Sequence, residues 1–206
     1  MPLIFKEVKE VHSVACWRHT EDISFFEENI HYRSVASHPE KIRQQLSSRM
    51  SIFSLDPHFP FDSVVNPPQG KPFLPSGIPD FSITHTNFIS GAILSKTHAV
   101  GIDLERISER ILKVESRFLH PEELSMLHVS SADRVSMLTL MWSVKETVFK
   151  CFGKAAIDFS NDIRIVSIAE DLSTASIIFQ PVNDTQHRVI CHKLQDHWLT
   201  YLVCQK

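Results

Sequence analysis

The chain has 206 residues, 43% hydrophobic and 22% charged, with a formal net charge of −3. That length can bury one large core or two small packed ones, and five Gly and eleven Pro without any repeat exclude collagen-like, solenoid and disordered chains. Near-neutral charge excludes a broad basic surface for duplex nucleic acid, although it leaves room for a small anion site.

No apolar run approaches the roughly 18 residues of a membrane span, and the N-terminal MPLIFKEVKE carries charge where a signal peptide needs an apolar stretch. The expectation is a cytoplasmic globular chain that engages neither membrane nor nucleic acid. Cys16, Cys151, Cys191 and Cys204 are scattered without C-x-x-C spacing, which predicts reduced and mostly buried thiols.

In chain order, an acidic cluster (Glu21, Asp22, Glu27, Glu28) precedes a basic one (Arg33, Lys41, Arg43, Arg49) opposed only by Glu40. Ser37-His38-Pro39-Glu40 predicts a helix start with Ser37 as N-cap and a capping box to Glu40. Ile42, Leu46, Met50 and Phe53 follow at helical spacing and set Lys41, Arg43 and Arg49 on the rim. A Pro-rich surface loop is expected from Asp56 to Gly77. Phe81 to His85, Ile89 to Leu94 and Ala99 to Glu105 predict adjacent strands, and residues 109–128 two helical pieces broken near His120-Pro121. Ser131 to Phe152 predicts a long helix with Val135, Leu138, Trp142, Phe149 and Phe152 on one apolar stripe and Lys145 inside it. After Gly153, runs at Ile163 to Ile168, Ala175 to Phe179, Arg188 to Lys193 and Trp198 to Cys204 predict an antiparallel meander. His187, His192 and His197 recur every five residues, which fits no single strand or helix face and predicts scattered surface histidines rather than ligands.

Three constellations carry chemistry. Gly101-Ile102-Asp103-Leu104-Glu105 ends a predicted strand, so Asp103 and Glu105 share a face while Ile102 and Leu104 face the core. Paired carboxylates repel unless a cation joins them, and their hard oxygens suit Mg²⁺; alone, the pattern also fits a solvated strand rim. In Trp142-Ser143-Val144-Lys145-Glu146 with Lys150, a lysine within an apolar stripe must snorkel out, lose its charge or meet an anion. Glu146 and Lys150, one turn apart, also fit an exposed ion pair. Phe81-Ser82-Ile83-Thr84-His85-Thr86 sets hydroxyls around a histidine at a strand end, a plausible phosphate cradle or simply a hydrogen-bonded terminus. No G-x-S-x-G elbow, Walker A loop, dinucleotide fingerprint or H-E-x-x-H occurs.

Gly70-Lys71-Pro72, then Phe81 to Thr86, then Gly101 to Glu105, then Arg117-Phe118-Leu119-His120-Pro121-Glu122-Glu123, then Trp142 to Glu146 with Lys150, taken in this order, resemble the 4′-phosphopantetheinyl transferase superfamily. The likeness is to its monomeric surfactin-synthetase and enterobactin-synthetase activating type. It spans residues 70–154, with a weaker match from Lys41 to Leu55. Thr84 and Thr86 stand where serines are commoner, and the tandem Glu122-Glu123 leaves the helix carboxylate one position open, with alignment through Phe118 favouring Glu123.

The resemblance implies an α+β fold of two similar α/β halves related by a pseudo-twofold axis, each with a small, mostly antiparallel sheet packed on helices and with the active site in the cleft between them. The halves would be residues 1–98, on the coenzyme A 3′-phosphate and adenine side, and 99–206, carrying the metal carboxylates and the carrier-protein side. It implies Mg²⁺ on Asp103, Glu105 and Glu146 and coenzyme A phosphates on Lys145, Lys150 and His85. Lys71, Pro72 and Thr84 would line the cofactor site, and Arg43 or Arg49 would meet the 3′-phosphate. The implied reaction moves 4′-phosphopantetheine from coenzyme A to a serine of an acyl or peptidyl carrier protein, releasing adenosine 3′,5′-bisphosphate. Glu123 or Glu146 would take the serine proton, directly or through a metal-bound water, with Lys145 and Lys150 offsetting charge on the bridging and leaving oxygens. The carrier would dock after Glu105 and after Lys150, near Phe152, Lys154 and Arg164. Two other readings of these residues are another Mg²⁺-dependent phosphodiester-processing enzyme, which the absence of a basic surface disfavours, and a non-catalytic coenzyme A or carrier-protein binding module, which would need no metal carboxylates.

Overall fold

The computed structural model describes residues 2–30, 32–34, 36–68, 70–127, 131–153 and 157–205. The chain is α+β and is built on two antiparallel sheets. Strands β1 (Leu3–Val8), β2 (Ser13–Arg18), β3 (Asp80–His85) and β4 (Ile89–Ser95) form the first, in the order β1-β2-β4-β3. Strands β5 (His98–Arg106), β6 (Ile163–Ile168), β7 (Thr174–Phe179), β8 (Asn183–Leu194) and β9 (His197–Gln205) form the second, in the order β5-β9-β8-β7-β6. The expected meander is β6 to β9, each strand pairing with the next.

The β1-β2 hairpin and helix α1 (Ile23–Ile30) have no counterpart among the sequence expectations. Strand β2 lies between β1 and β4 and buries Val14 through Trp17 on both faces, so the alternation that betrays a half-buried strand is missing. Helix α2 (Pro39–Leu55) starts with Pro39 in its first turn, but its N-cap is His38 and no side-chain cap bond forms, so the Ser37 capping box is absent. Its Leu46 and Met50 pack with Trp17, Phe26 and Ile30, while Ile52 packs with Phe59, Leu74 and Phe81. The Pro-rich loop therefore sends Phe59 and Leu74 into the core rather than only crossing the surface.

Helix α3 (Ser131–Phe152) lies across β5 and β9. Gly101 makes that approach possible, because a Cβ there would sit 2.2 Å from the Thr147 carbonyl oxygen and 2.7 Å from the Cys151 nitrogen. Between β5 and α3 the chain forms 3₁₀ segments, Glu109–Lys113, Glu115–Arg117 and Pro121–Leu127, instead of α-helix. They break at His120-Pro121 as expected, and His128 lies outside the described residues.

Strand β5 does not extend the first sheet. It runs beside β3, whose inward side chains accept its edge amides: Val100 N–H donates to Asp80 Oδ2 (2.8 Å), Ile102 N–H to Ser82 Oγ (3.3 Å) and Leu104 N–H to Thr84 Oγ1 (3.1 Å). Short polar side chains at every second residue thus satisfy a strand edge that a backbone ladder would otherwise take. All four cysteines are free and buried. His187 and His192 are half-buried, but His197 is only 2% exposed and pairs with Asp196, which corrects its reading as a surface residue. Among the described residues no helix is long and apolar enough to cross a membrane.

Candidate active site

The β3-β5 seam delivers Asp103 beside the last turns of α3. Ile102 and Leu104 point into a core with Val14, Ile93 and Tyr201, turning Asp103 and Glu105 the other way. Asp103 Oδ1 accepts from Lys150 Nζ at 2.6 Å and Thr84 Oγ1 at 3.3 Å, and its Oδ2 from Ser143 Oγ at 2.8 Å. Glu105 Oε1 accepts from Trp142 Nε1 at 3.1 Å. Adjacent residues of one helix therefore hold the two acids of the D-x-E strand, Ser143 on Asp103 and Trp142 on Glu105. Sequence reasoning missed both roles: Trp142 read as one member of an apolar stripe, and a serine beside it carries no mark of its partner.

Glu146 accepts no hydrogen bond among the described residues, and its expected pairing with Lys150 gives way to the Lys150–Asp103 pair. Burial, with Asp103 next, pushes both Glu105 and Glu146 up to about 7. Desolvation alone would lower the Lys150 ammonium, but Asp103, Glu146 and Glu105 outweigh it and hold it above its ordinary range. The cluster has three carboxylates facing one ammonium.

Lys145 and Glu123 lie elsewhere. Lys145 is fully buried, and its Nζ donates to Phe118 O (2.7 Å), Glu123 Oε2 (2.8 Å) and Phe159 O (2.9 Å), which uses all three ammonium donors. Glu123 is 1% exposed and also accepts from the His120 and Ile165 amides, at 2.9 and 2.7 Å. Burial pulls the Lys145 ammonium below its ordinary range and Glu123 opposes that pull. Lys145 and Glu123, expected to meet a phosphate and to take a proton, bond each other and backbone groups in the interior of this structure.

Cavities of 620 and 210 Å³ are lined by Glu105 and Lys150 of the cluster, respectively, and a third of 390 Å³ lies beyond His85 and Pro72. Glu105, Trp142, Arg106 and Arg110 line the largest, and His85 lines both it and the 390 Å³ cavity. That third cavity has Tyr32, Phe59, Phe61 and Phe81 as aromatic walls and contains Arg49, whose guanidinium lies 4.0 Å from the Tyr32 ring centroid. Pro72 joins it to the smallest cavity, lined by Lys71 and Lys150. His85 sits exposed between the two larger cavities; desolvation and the Lys150 charge hold its imidazolium below the ordinary range. Lys71 faces its cavity with its stem while its ammonium bonds Asp80 and the Val100 carbonyl. Arg43 does not line the aromatic cavity; its Nε is buried without a hydrogen-bond partner among the described residues. Of the residues expected to receive the carrier, Arg164 pairs with Glu122, Phe152 stacks on Phe179 with centroids 4.7 Å apart, and Lys154 lies outside the described residues.

The family model of the 4′-phosphopantetheinyl transferase superfamily matches residues 99–202, half of the chain, from within β5 to within β9. The chain belongs to that superfamily. The matched stretch holds Asp103, Glu105, Glu146 and Lys150, while Arg49, Lys71 and His85 precede it. The chain is similar to the 4′-phosphopantetheinyl transferase gsp of Aneurinibacillus migulanus, 37% identical over 86 residues, covering 41% of this chain and 35% of the relative. It is also similar to a 4′-phosphopantetheinyl transferase of Bacillus subtilis, 35% identical over 89 residues, covering 41% of this chain and 38% of the relative. The aligned segments thus span little more than a third of either relative.

For a superfamily member the question is whether these residues suit Mg²⁺. The donor set fits, since three carboxylates with hard oxygens outnumber the one ammonium beside them. Among the described residues, however, no three Asp, Glu, His or Cys side chains stand ready to hold a metal ion. The cation on Asp103 is the Lys150 ammonium.

Proposed function

We propose that this chain transfers 4′-phosphopantetheine from coenzyme A to a serine hydroxyl of an apo acyl or peptidyl carrier protein, in a Mg²⁺-dependent reaction. The observation that carries this reading is the Lys150 ammonium among Asp103, Glu105 and Glu146, with Glu105 lining one cavity, Lys150 a second, and His85 and Pro72 leading from these to a third that holds Arg49 among aromatic walls. A polyanionic cofactor with a flat base and a long neutral arm matches that sequence of surfaces.

In this reading the adenine lies among Phe59, Phe61 and Phe81, and Arg49 takes the 3′-phosphate, the better placed of the two candidate arginines. Lys71 and Pro72 wall the passage to the pyrophosphate, which Lys150, Thr84 and His85 contact. Asp103, Glu105 and Glu146 would hold Mg²⁺, which when bound neutralises charge on the pyrophosphate. The serine oxygen forms a bond to the pantetheine-side phosphorus, and the bond to the bridging oxygen breaks. The electron pair leaves with adenosine 3′,5′-bisphosphate, and the serine proton goes to Glu146, directly or through a water. Lys150 offsets charge on the leaving oxygens. The carrier approaches over the largest cavity, where Arg106 and Arg110 present positive charge beside the exposed Phe88 ring.

The test incubates the protein with coenzyme A, Mg²⁺ and several apo carrier proteins and measures carrier mass. A gain of one phosphopantetheine per carrier is expected, and unchanged masses with every carrier would refute the reading.

A further inference from the structure

We infer that Lys145 is a positioning residue that fixes Glu105 through the ring of Trp142. The Lys145 ammonium binds two backbone carbonyls, Phe118 O and Phe159 O, and the side chains of those same residues flank Trp142. The Phe118 ring meets the indole edge-on with centroids 5.2 Å apart, and the Phe159 ring stacks on it at 5.4 Å and 22°. Glu123 anchors the ammonium from a third direction and is itself tied to the His120 and Ile165 amides. The indole so clamped aims its N–H at Glu105 Oε1, 3.1 Å away.

The physical need for such a clamp is specific. An indole that is half-exposed beside a 620 Å³ cavity can tilt, and a tilt of the ring moves its single donor off the carboxylate. Packing by two rings, one stacked and one edge-on, restricts that freedom, and a buried ion pair with every donor satisfied holds the packing residues at their backbones rather than their tips. One motif thus divides its labour: Trp142 and Ser143 hold the D-x-E acids, Glu146 and Lys150 join them, and Lys145 holds what holds Glu105. The assignment of Glu105 to the metal rests on the proposed function; the mechanical link from Lys145 to Trp142 does not.

The experiment follows the indole N–H resonances of Trp17, Trp142 and Trp198 by ¹H–¹⁵N NMR, with Trp142 identified by its loss in Trp142→Phe. Glu105→Gln is expected to move the Trp142 resonance, and the paired Glu123→Gln/Lys145→Met variant to move it in the same sense while Trp17 stays. If that pair does not fold, Phe159→Leu, which removes the stacked ring and leaves the ion pair, is expected to give the same displacement. An unmoved Trp142 resonance in the folded variants overturns the inference, whether or not the chain transfers phosphopantetheine. In the transfer assay, Trp142→Phe is expected to raise the half-saturating Mg²⁺ concentration about 10–100-fold, the usual cost of losing a partner behind a metal ligand. The Glu123→Gln/Lys145→Met pair should raise it too, yet add nothing in the Trp142→Phe background; fully multiplicative effects would overturn the link. No transfer by the wild type together with the expected NMR displacements would refute the proposed function alone.

Discussion

Lys145 and Lys150 lie on the same helix, five residues apart, and each contacts a carboxylate within 2.8 Å, yet they make opposite kinds of site. Around Lys145 the polar accounts close: one ammonium, one carboxylate, two carbonyls and two amides, all paired and dry. Around Lys150 they do not close, because Glu105 and Glu146 remain raised toward 7 and two cavities open on the cluster. A satisfied buried pair holds structure, whereas excess like charge beside open volume can bind and release a charged ligand.

The largest expected effect tests the closed side. Lys145→Met leaves Glu123 buried without its counter-charge and should cost about 3–5 kcal/mol in urea unfolding, while the paired Glu123→Gln/Lys145→Met variant should recover much of that loss. A single variant as stable as wild type would break the comparison. Next, Lys150→Met should lower transfer to a carrier by about 10²–10³-fold, read by carrier mass against time, because it removes a charge from the reacting pyrophosphate. Its unfolding midpoint should fall less than that of Lys145→Met, since Asp103 keeps Ser143 and Thr84 as partners. Arg49→Lys should raise the coenzyme A concentration for half-maximal rate about tenfold, a loss of roughly 1.4 kcal/mol as a bidentate donor becomes a point charge. An unchanged requirement would move the 3′-phosphate away from the aromatic cavity.

His19 extends the comparison to the first sheet and carries the smallest effect. Its Nδ1 meets the Asn87 carbonyl at 3.2 Å, so Nδ1 holds the proton, while Nε2 meets the Ser90 and Ser47 hydroxyls, each at 2.8 Å. Burial pushes this imidazole down to about 4, so between its ordinary value near 6.5 and 4 the unfolded chain binds more protons. Stability contributed by neutral His19 is present above pH 6.5 and is lost as pH falls toward 4. Urea midpoints at pH 7.5 and 5 should therefore differ more for wild type than for His19→Gln; equal differences would mean that His19 titrates alike in both states.

Much of the fold was legible because local patterns determined it. The span of α3, the meander and the orientation of Asp103 and Glu105 followed from periodicities of 3.6 and 2. The β1-β2 hairpin was not, since burial on both faces erases alternation, and neither was the capping box, because Ser37 carried the right residue type one position before the N-cap that formed. For the site, motif order marked Asp103, Glu105, Glu146 and Lys150, but residue type could not tell which lysine of the motif would meet an acid in the interior.

By itself the sequence determined α2, α3, the strands from β3 onward and the family-bearing order of motifs, since these depend on neighbours within a few residues. Tertiary structure alone decided the partners: Glu123 reaches Lys145 from 22 residues away, Asp103 reaches Lys150 from 47, and Thr84 reaches the Leu104 amide from 20. A charged group's task depends on whether its surroundings satisfy it, and those surroundings exist only once distant segments have packed.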